Sequence, residues 1–113
     1  MEPKIITLKT SDNIEIVGDY YAALAKNAPA AIFIHMIPTT RESWKIFAKK
    51  LNEEGFHCLA IDLRGHGDSR GGPNGFQNFS DENHQESIND IKSAVDYFVK
   101  KGIILEKLSL IGA

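Results

Sequence analysis

The side chains of this chain that could do chemistry gather in three short segments. His35-Met36-Ile37-Pro38 sets an imidazole beside a proline-ended loop. Asp62-Leu63-Arg64-Gly65-His66-Gly67-Asp68-Ser69 crowds carboxylates, a guanidinium, an imidazole and a hydroxyl together, and Leu110-Ile111-Gly112-Ala113 ends an apolar run on small residues. Gly67-Asp68-Ser69-Arg70-Gly71 spells Gly-x-Ser-x-Gly, the letters of a nucleophilic serine on a tight elbow. That elbow needs its serine at the very end of a strand with a helix starting at once. Ser69 lies well past the apolar stretch ending at Ile61, and Gly71-Gly72-Pro73-Asn74-Gly75 cannot open a helix promptly, so Ser69 reads as a loop residue. Gly65-His66-Gly67-Asp68-Ser69-Arg70 has Arg where a dinucleotide fingerprint needs its third glycine. His35, His57, His66 and His84 show neither His-x-His nor HExxH spacing, so no metal site is expected.

The elements that must position these segments follow from periodicity. Lys4–Lys9 and Ile14–Ala22 read as two strands joined by the polar turn Ser11-Asp12-Asn13, an antiparallel hairpin. Ala30–Ile34 and His57–Ile61 are continuously apolar, as expected of central strands covered on both faces. Between them Trp44, Phe47, Ala48 and Leu51 recur at helical spacing after the cap-rich Thr39–Ser43, and Gly55 closes the helix. The stretch from Asp62 to about Asn83 holds five glycines and reads as a long loop. Ile88, Ile91, Val95, Phe98 and Val99 mark a second amphipathic helix from roughly Asn83 to Lys101, ended by Gly102. Leu108–Ile111 is a last short strand.

The order β-β-β-α-β-α-β predicts an α/β fold, a mostly parallel sheet with an N-terminal antiparallel hairpin and helices on both faces. Each of the three chemical segments then falls just past the C-terminal end of a parallel strand, the edge where open α/β sheets place their ligands.

Composition narrows the function classes. The 113 residues carry 13 Lys+Arg against 15 Asp+Glu, with 42% hydrophobic and 25% charged residues, ordinary for a single globular domain. A formal net charge of −2 gives no electrostatic case for nucleic acid or an anionic membrane surface. The longest apolar run, Ala30–Ile34, cannot span a bilayer, and Met1-Glu2-Pro3-Lys4 lacks signal-peptide character, so a cytoplasmic location is expected. Cys58, the single cysteine, excludes an internal disulfide and reads as a buried thiol.

In their order and spacing, these motifs resemble the N-terminal half of the α/β-hydrolase superfamily, close to its small esterase and cofactor-free haloperoxidase-like branch. There the third strand ends in His-Gly-x-Pro followed by Ser-Trp, matched by His35, Pro38, Ser43 and Trp44. The fourth strand leads into Asp-x-Arg-Gly-x-Gly-x-Ser, matched at Asp62, Arg64, Gly65, Gly67 and Ser69. The resemblance covers essentially the whole chain, which is expected to be the N-terminal part of one such domain, residues 1–113.

The resemblance implies a serine hydrolase acting on esters or related acyl bonds through an acyl-enzyme, without a cofactor, on a small-molecule ester or acyl substrate. One oxyanion donor, the backbone N–H after the His-Gly pair, carries over to Ile37. Met36 stands where the family has glycine, where its side chain narrows the acyl pocket or, if φ is positive, disfavours the turn. Gly112 and Ala113 match the first positions of the nucleophile elbow, so the serine, acid and base are expected beyond the chain. The chain alone is then expected to be inactive. His35 is expected to orient the oxyanion loop and His66 to be a solvated loop residue with a candidate place at the substrate entrance, and both are candidate substrate-binding residues. Asp62 and Arg64 are expected to brace the loop by a charge-assisted hydrogen bond. The last strand's uncovered edge is expected to favour self-association. Two alternatives stand beside this reading: a non-catalytic α/β binding module, and a peptidase, dienelactone hydrolase or perhydrolase on the same fold.

Overall fold

A computed structural model of the chain describes residues 2–112. The hairpin forms as its pattern dictates, with β1 (Lys4–Lys9) and β2 (Glu15–Tyr21) paired antiparallel, Lys9 opposite Glu15. Asn13 turns the connection at φ 71°, in the left-handed region that asparagine tolerates. Thr10 secures it, its Oγ1 accepting from the Ile14 N–H (2.9 Å) and donating to Asp12 (2.6 Å).

The apolar strands β3 (Ala30–Ile34) and β4 (His57–Ile61) pair in parallel at the centre, and all of β4 is buried. β5 (Leu108–Gly112) joins the other side of β3, also parallel, giving the order β1-β2-β4-β3-β5. Three of the five strands are therefore mutually parallel, and the antiparallel pairings are β1–β2 and β2–β4. The sheet is mixed, with the hairpin at one side as expected.

Alternation along the central strands sorts two cores. Ile16, Tyr20, Ile32, Leu59 and Ile61 face α3 (Ile88–Lys100), which buries Ala94 and Phe98 against them. Full burial of one such aromatic side chain is worth about 1.5–3 kcal/mol. Tyr21, Ala31, Phe33, Cys58 and Ala60 face the opposite side, where α1 (Lys45–Glu53) contributes Ala48. Helices thus cover both faces. Cys58 is the expected buried thiol, its pKa pushed up to about 12 by burial.

Two local details differ from the periodicity. α1 is preceded by a 3-10 turn over Arg41–Trp44, capped by Thr40, whose side chain accepts from the Glu42 N–H. The helix expected over about 83–101 is divided into α2 (Asp81–Gln85) and α3. Between them the backbone bonds tighten to three-residue spacing, with Ser87, Asn89 and Asp90 donating to His84, Glu86 and Ser87. α2 starts on a capping box, Ser80 and Asn83 exchanging side-chain-to-backbone bonds of 3.1 and 3.0 Å. Among the described residues no helix is long and apolar enough to cross a membrane.

Candidate active site

The loop after β3 is organised around one peptide group. The Met36 carbonyl accepts from the Thr39 N–H (2.8 Å), the Thr39 hydroxyl (2.6 Å) and the His35 ring (3.1 Å). These donors fix the plane of the Met36–Ile37 peptide. That peptide is trans, so the Ile37 N–H points away from the tethered carbonyl. No acceptor among the described residues takes it. A donor held rigidly and left unpaired suits a developing negative charge, because nothing need reorganise when the charge arrives. Met36 does not have positive φ, so it occupies the glycine position of the pattern without backbone strain. The register of β3 and β5, Ile34 opposite Gly112, sets this loop beside the C-terminal end of β5.

His35 supports the loop from below. Its Nε2 accepts the Leu63 N–H at 3.0 Å, which leaves Nδ1 to carry the proton and donate to Met36. The side chain is buried, and burial lowers its pKa, which keeps the ring neutral and the tautomer fixed. His66 corrects the sequence reading. It is not solvated: only 2% of it is exposed, the ring stacks on Phe76 (4.5 Å, 6° between planes) and packs against His35 at 4.8 Å. The ring is closed off because Gly65, at φ +77°, folds the loop onto Phe76 and Phe79, leaving no room for a Cβ. His66 pairs with the Arg64 carbonyl through Nδ1, and its Nε2 is buried without a partner among the described residues. Neither histidine presents a ring nitrogen to solvent. Both rings brace the loops in this chain.

The acidic and basic residues are paired otherwise than expected. Asp62 does not bond Arg64. Its fully buried carboxylate accepts the Arg41 N–H (2.8 Å), the Asp68 N–H (2.9 Å) and the Arg41 guanidinium. Arg41 also meets Asp68 (3.0 Å) and Asp19, the latter an ion pair at 3.1 Å whose angle is poor for a hydrogen bond. Arg64 instead joins the hairpin turn to α3. It donates to Asp12 (2.6 and 2.9 Å) and, from Nε, to Asp90 (2.9 Å), while its own N–H reaches Asp90 at 2.8 Å. The hydrogen bond from Arg64 holds Asp12 well below the usual carboxylate range, whereas burial pushes Asp90 up against the same arginine's pull. The chain leaves β4 at Ile61 and turns at Arg64–Gly65, so strand periodicity no longer sets the two side chains on a common face, and each meets a partner from another element.

The sequence reading missed Arg41, Asp19, Asp12 and Asp90. Only Asp90 carried a signal, as an acid on the stripe of Ala94 and Phe98 at four-residue steps. Ser69 is a structural residue, as expected: its buried hydroxyl donates to the Asp62 carbonyl and accepts the Val17 N–H (2.9 Å), which ties the loop to β2. Of the elbow positions, Gly112 ends β5, and Ala113 lies outside the described residues.

Comparisons with known proteins agree with this architecture. A family model described as the alpha/beta hydrolase fold matches residues 29–98. The structure of DcsB in complex with its substrate analogue superposes with a TM-score of 0.80 at 26% identity, covering 97% of this chain and 36% of that one. The esterase Pf2001 of Pyrococcus furiosus gives 0.71 at 24% identity, covering 98% and 42%. The epoxide hydrolase VrEH1 of Vigna radiata gives 0.72 at 21% identity, covering 98% and 30%. The chain thus spans well under half the length of these structures. A search of curated proteins finds no match. The strand order, the loops raised at one sheet edge and a family match across both central strands leave one assignment: the chain belongs to the α/β-hydrolase family.

Proposed function

We propose that this chain supplies the oxyanion-binding part of a hydrolase that cleaves esters or related acyl bonds through a serine acyl-enzyme. The nucleophile, the acid and the base of that enzyme lie outside these residues. The observation that carries the reading is the Met36–Ile37 peptide, tethered at its carbonyl by His35 and Thr39 and free at its N–H. An ester carbonyl oxygen placed on the Ile37 N–H gains a stronger hydrogen bond as it becomes an oxyanion, and that difference speeds acylation. The end of β5, next to this loop, is where an elbow serine would follow. Ser69 is unsuited to the role, because its hydroxyl is buried and bonded on both sides.

A fluorophosphonate probe tests the reading. The 113-residue chain should not be labelled, and a polypeptide continuing through the elbow should be, with turnover of simple esters. Labelling of the short chain would refute the assignment of the nucleophile. A continuing polypeptide that takes no label and opens epoxides instead would refute the acyl chemistry. One that takes no label and turns over nothing would leave the non-catalytic binding module as the better reading.

A further inference from the structure

We infer that the Met36 side chain forms the adjustable wall of the acyl pocket and restricts the enzyme to short acyl groups, an inference that rests on the hydrolase reading above. Beside the oxyanion loop lies a cavity of about 140 Å³ lined by Met36, Thr39, Ser43 and Trp44. Met36 and the Ile37 N–H share one peptide group. An oxygen held on that N–H therefore brings its carbonyl carbon, and the chain on that carbon, alongside the Met36 wall. The groove is small and open on its solvent side, so it seats a short acyl chain against Met36 and Trp44, while a fatty chain extends past both.

The walls differ in stiffness. The Trp44 indole is wedged between Phe33 (5.2 Å) and Phe47 (5.9 Å), and the Thr39 hydroxyl is committed to the Met36 carbonyl. Met36 is anchored at its backbone, yet 54% of the residue is exposed, so its side chain can swing while the peptide cannot. An unbranched thioether suits such a wall, since it adapts to what it touches. A glycine at this position would leave that side of the cavity open, so the departure from the family pattern becomes a size filter set one residue from the oxyanion donor.

The experiment uses the polypeptide that continues through the nucleophile, assayed on p-nitrophenyl acetate, butanoate, hexanoate and octanoate. A parallel series keeps the acetyl group and lengthens the alcohol. Wild type should favour butanoate or shorter. Met36→Ala should raise the octanoate-to-acetate ratio of kcat/KM about tenfold or more, the scale on which apolar pockets sort chains by length. Met36→Phe should lower the butanoate-to-acetate ratio, and it tests the wall independently if the alanine variant does not fold. An acyl-length profile unmoved by either variant overturns the inference, and so does a shift confined to the alcohol series. Absence of both ester turnover and fluorophosphonate labelling in wild type would instead overturn the hydrolase reading itself, and this inference with it.

Discussion

Asp62→Asn isolates the buried junction beneath the site. In the native chain the Asp62 carboxylate is fully buried and takes two backbone N–H donors, from Arg41 and Asp68, together with the Arg41 guanidinium. Asparagine keeps the shape but offers a single acceptor oxygen. Its amide NH2 must then face a donor, either the Arg41 N–H or the pair on the other oxygen. One buried donor loses its acceptor, at about 1–3 kcal/mol. The Arg41 cation also loses its buried counter-charge, and breaking such a pair costs about 3–5 kcal/mol in all. Asp19 and Asp68 remain near Arg41, so the lower end, about 3 kcal/mol, is expected. In urea, with a slope near 1.5–2 kcal/mol/M, the midpoint should fall by roughly 1.5–2 M, followed by Trp44 fluorescence. Asp68→Asn provides the contrast. Its side chain is 72% exposed, so the variant should lose less than about 1 kcal/mol. Pairing Asp62→Asn with Arg41→Gln should recover part of the loss, because the cation is removed along with its partner. Equal midpoint shifts for the Asp62 and Asp68 variants, or no recovery in the pair, would refute the reasoning.

Four further outcomes follow from other residues. Burial lowers the His35 pKa below its unfolded value, so the unfolded chain binds more protons and stability falls as pH drops through about 6.5; His35→Gln should flatten the difference between urea midpoints at pH 7.5 and 5.5. Gly67 has φ +49° and abuts the Asp62 carboxylate so closely that an added Cβ would displace it, so Gly67→Ala should lower the midpoint at least as much as Asp62→Asn. Cys58 should resist iodoacetamide in the native chain and react only on unfolding, because burial holds its thiol protonated to about pH 12; rapid native labelling would contradict that. We propose that the isolated chain self-associates through β5, where Leu110 is 55% exposed on an uncharged edge; sedimentation should show oligomers that Leu110→Lys returns to monomer, and a monomeric wild type would refute it.

The frame was legible in the sequence because its signals are local. Continuous apolar runs marked β3 and β4, the spacing of Trp44, Ala48 and Leu51 marked α1, and Gly55 and Gly102, both at positive φ, marked helix ends. The loop after β3 could be located from His35 and Pro38, but its rigidity could not. That depends on the Leu63 N–H, which reaches His35 only after β3 and β4 pair. Partners of buried charges were the least legible. Arg41 sits in a polar segment that reads as a helix cap, and nothing local shows that it will be drawn in among Asp19, Asp62 and Asp68. Asp62 and Arg64, close in sequence, looked like partners and are not. His66 looked solvated among glycines, yet those glycines are what let the loop fold tightly enough to bury it.

The sheet order also sets a sequence of assembly. β3, α1 and β4 are contiguous, and Ile34 finds Ile61 across little more than one helix. The hairpin closes on itself before β2 reaches β4. Among the described residues β5 pairs only with β3, and Ala30 must find Leu108 with most of the chain lying between. Closing that long loop carries the largest entropic cost of any pairing in the sheet. β5 should therefore dock last, and its amides should be the first in the sheet to exchange with solvent. The strand beside the Met36–Ile37 loop is then also the last of the five to take its place.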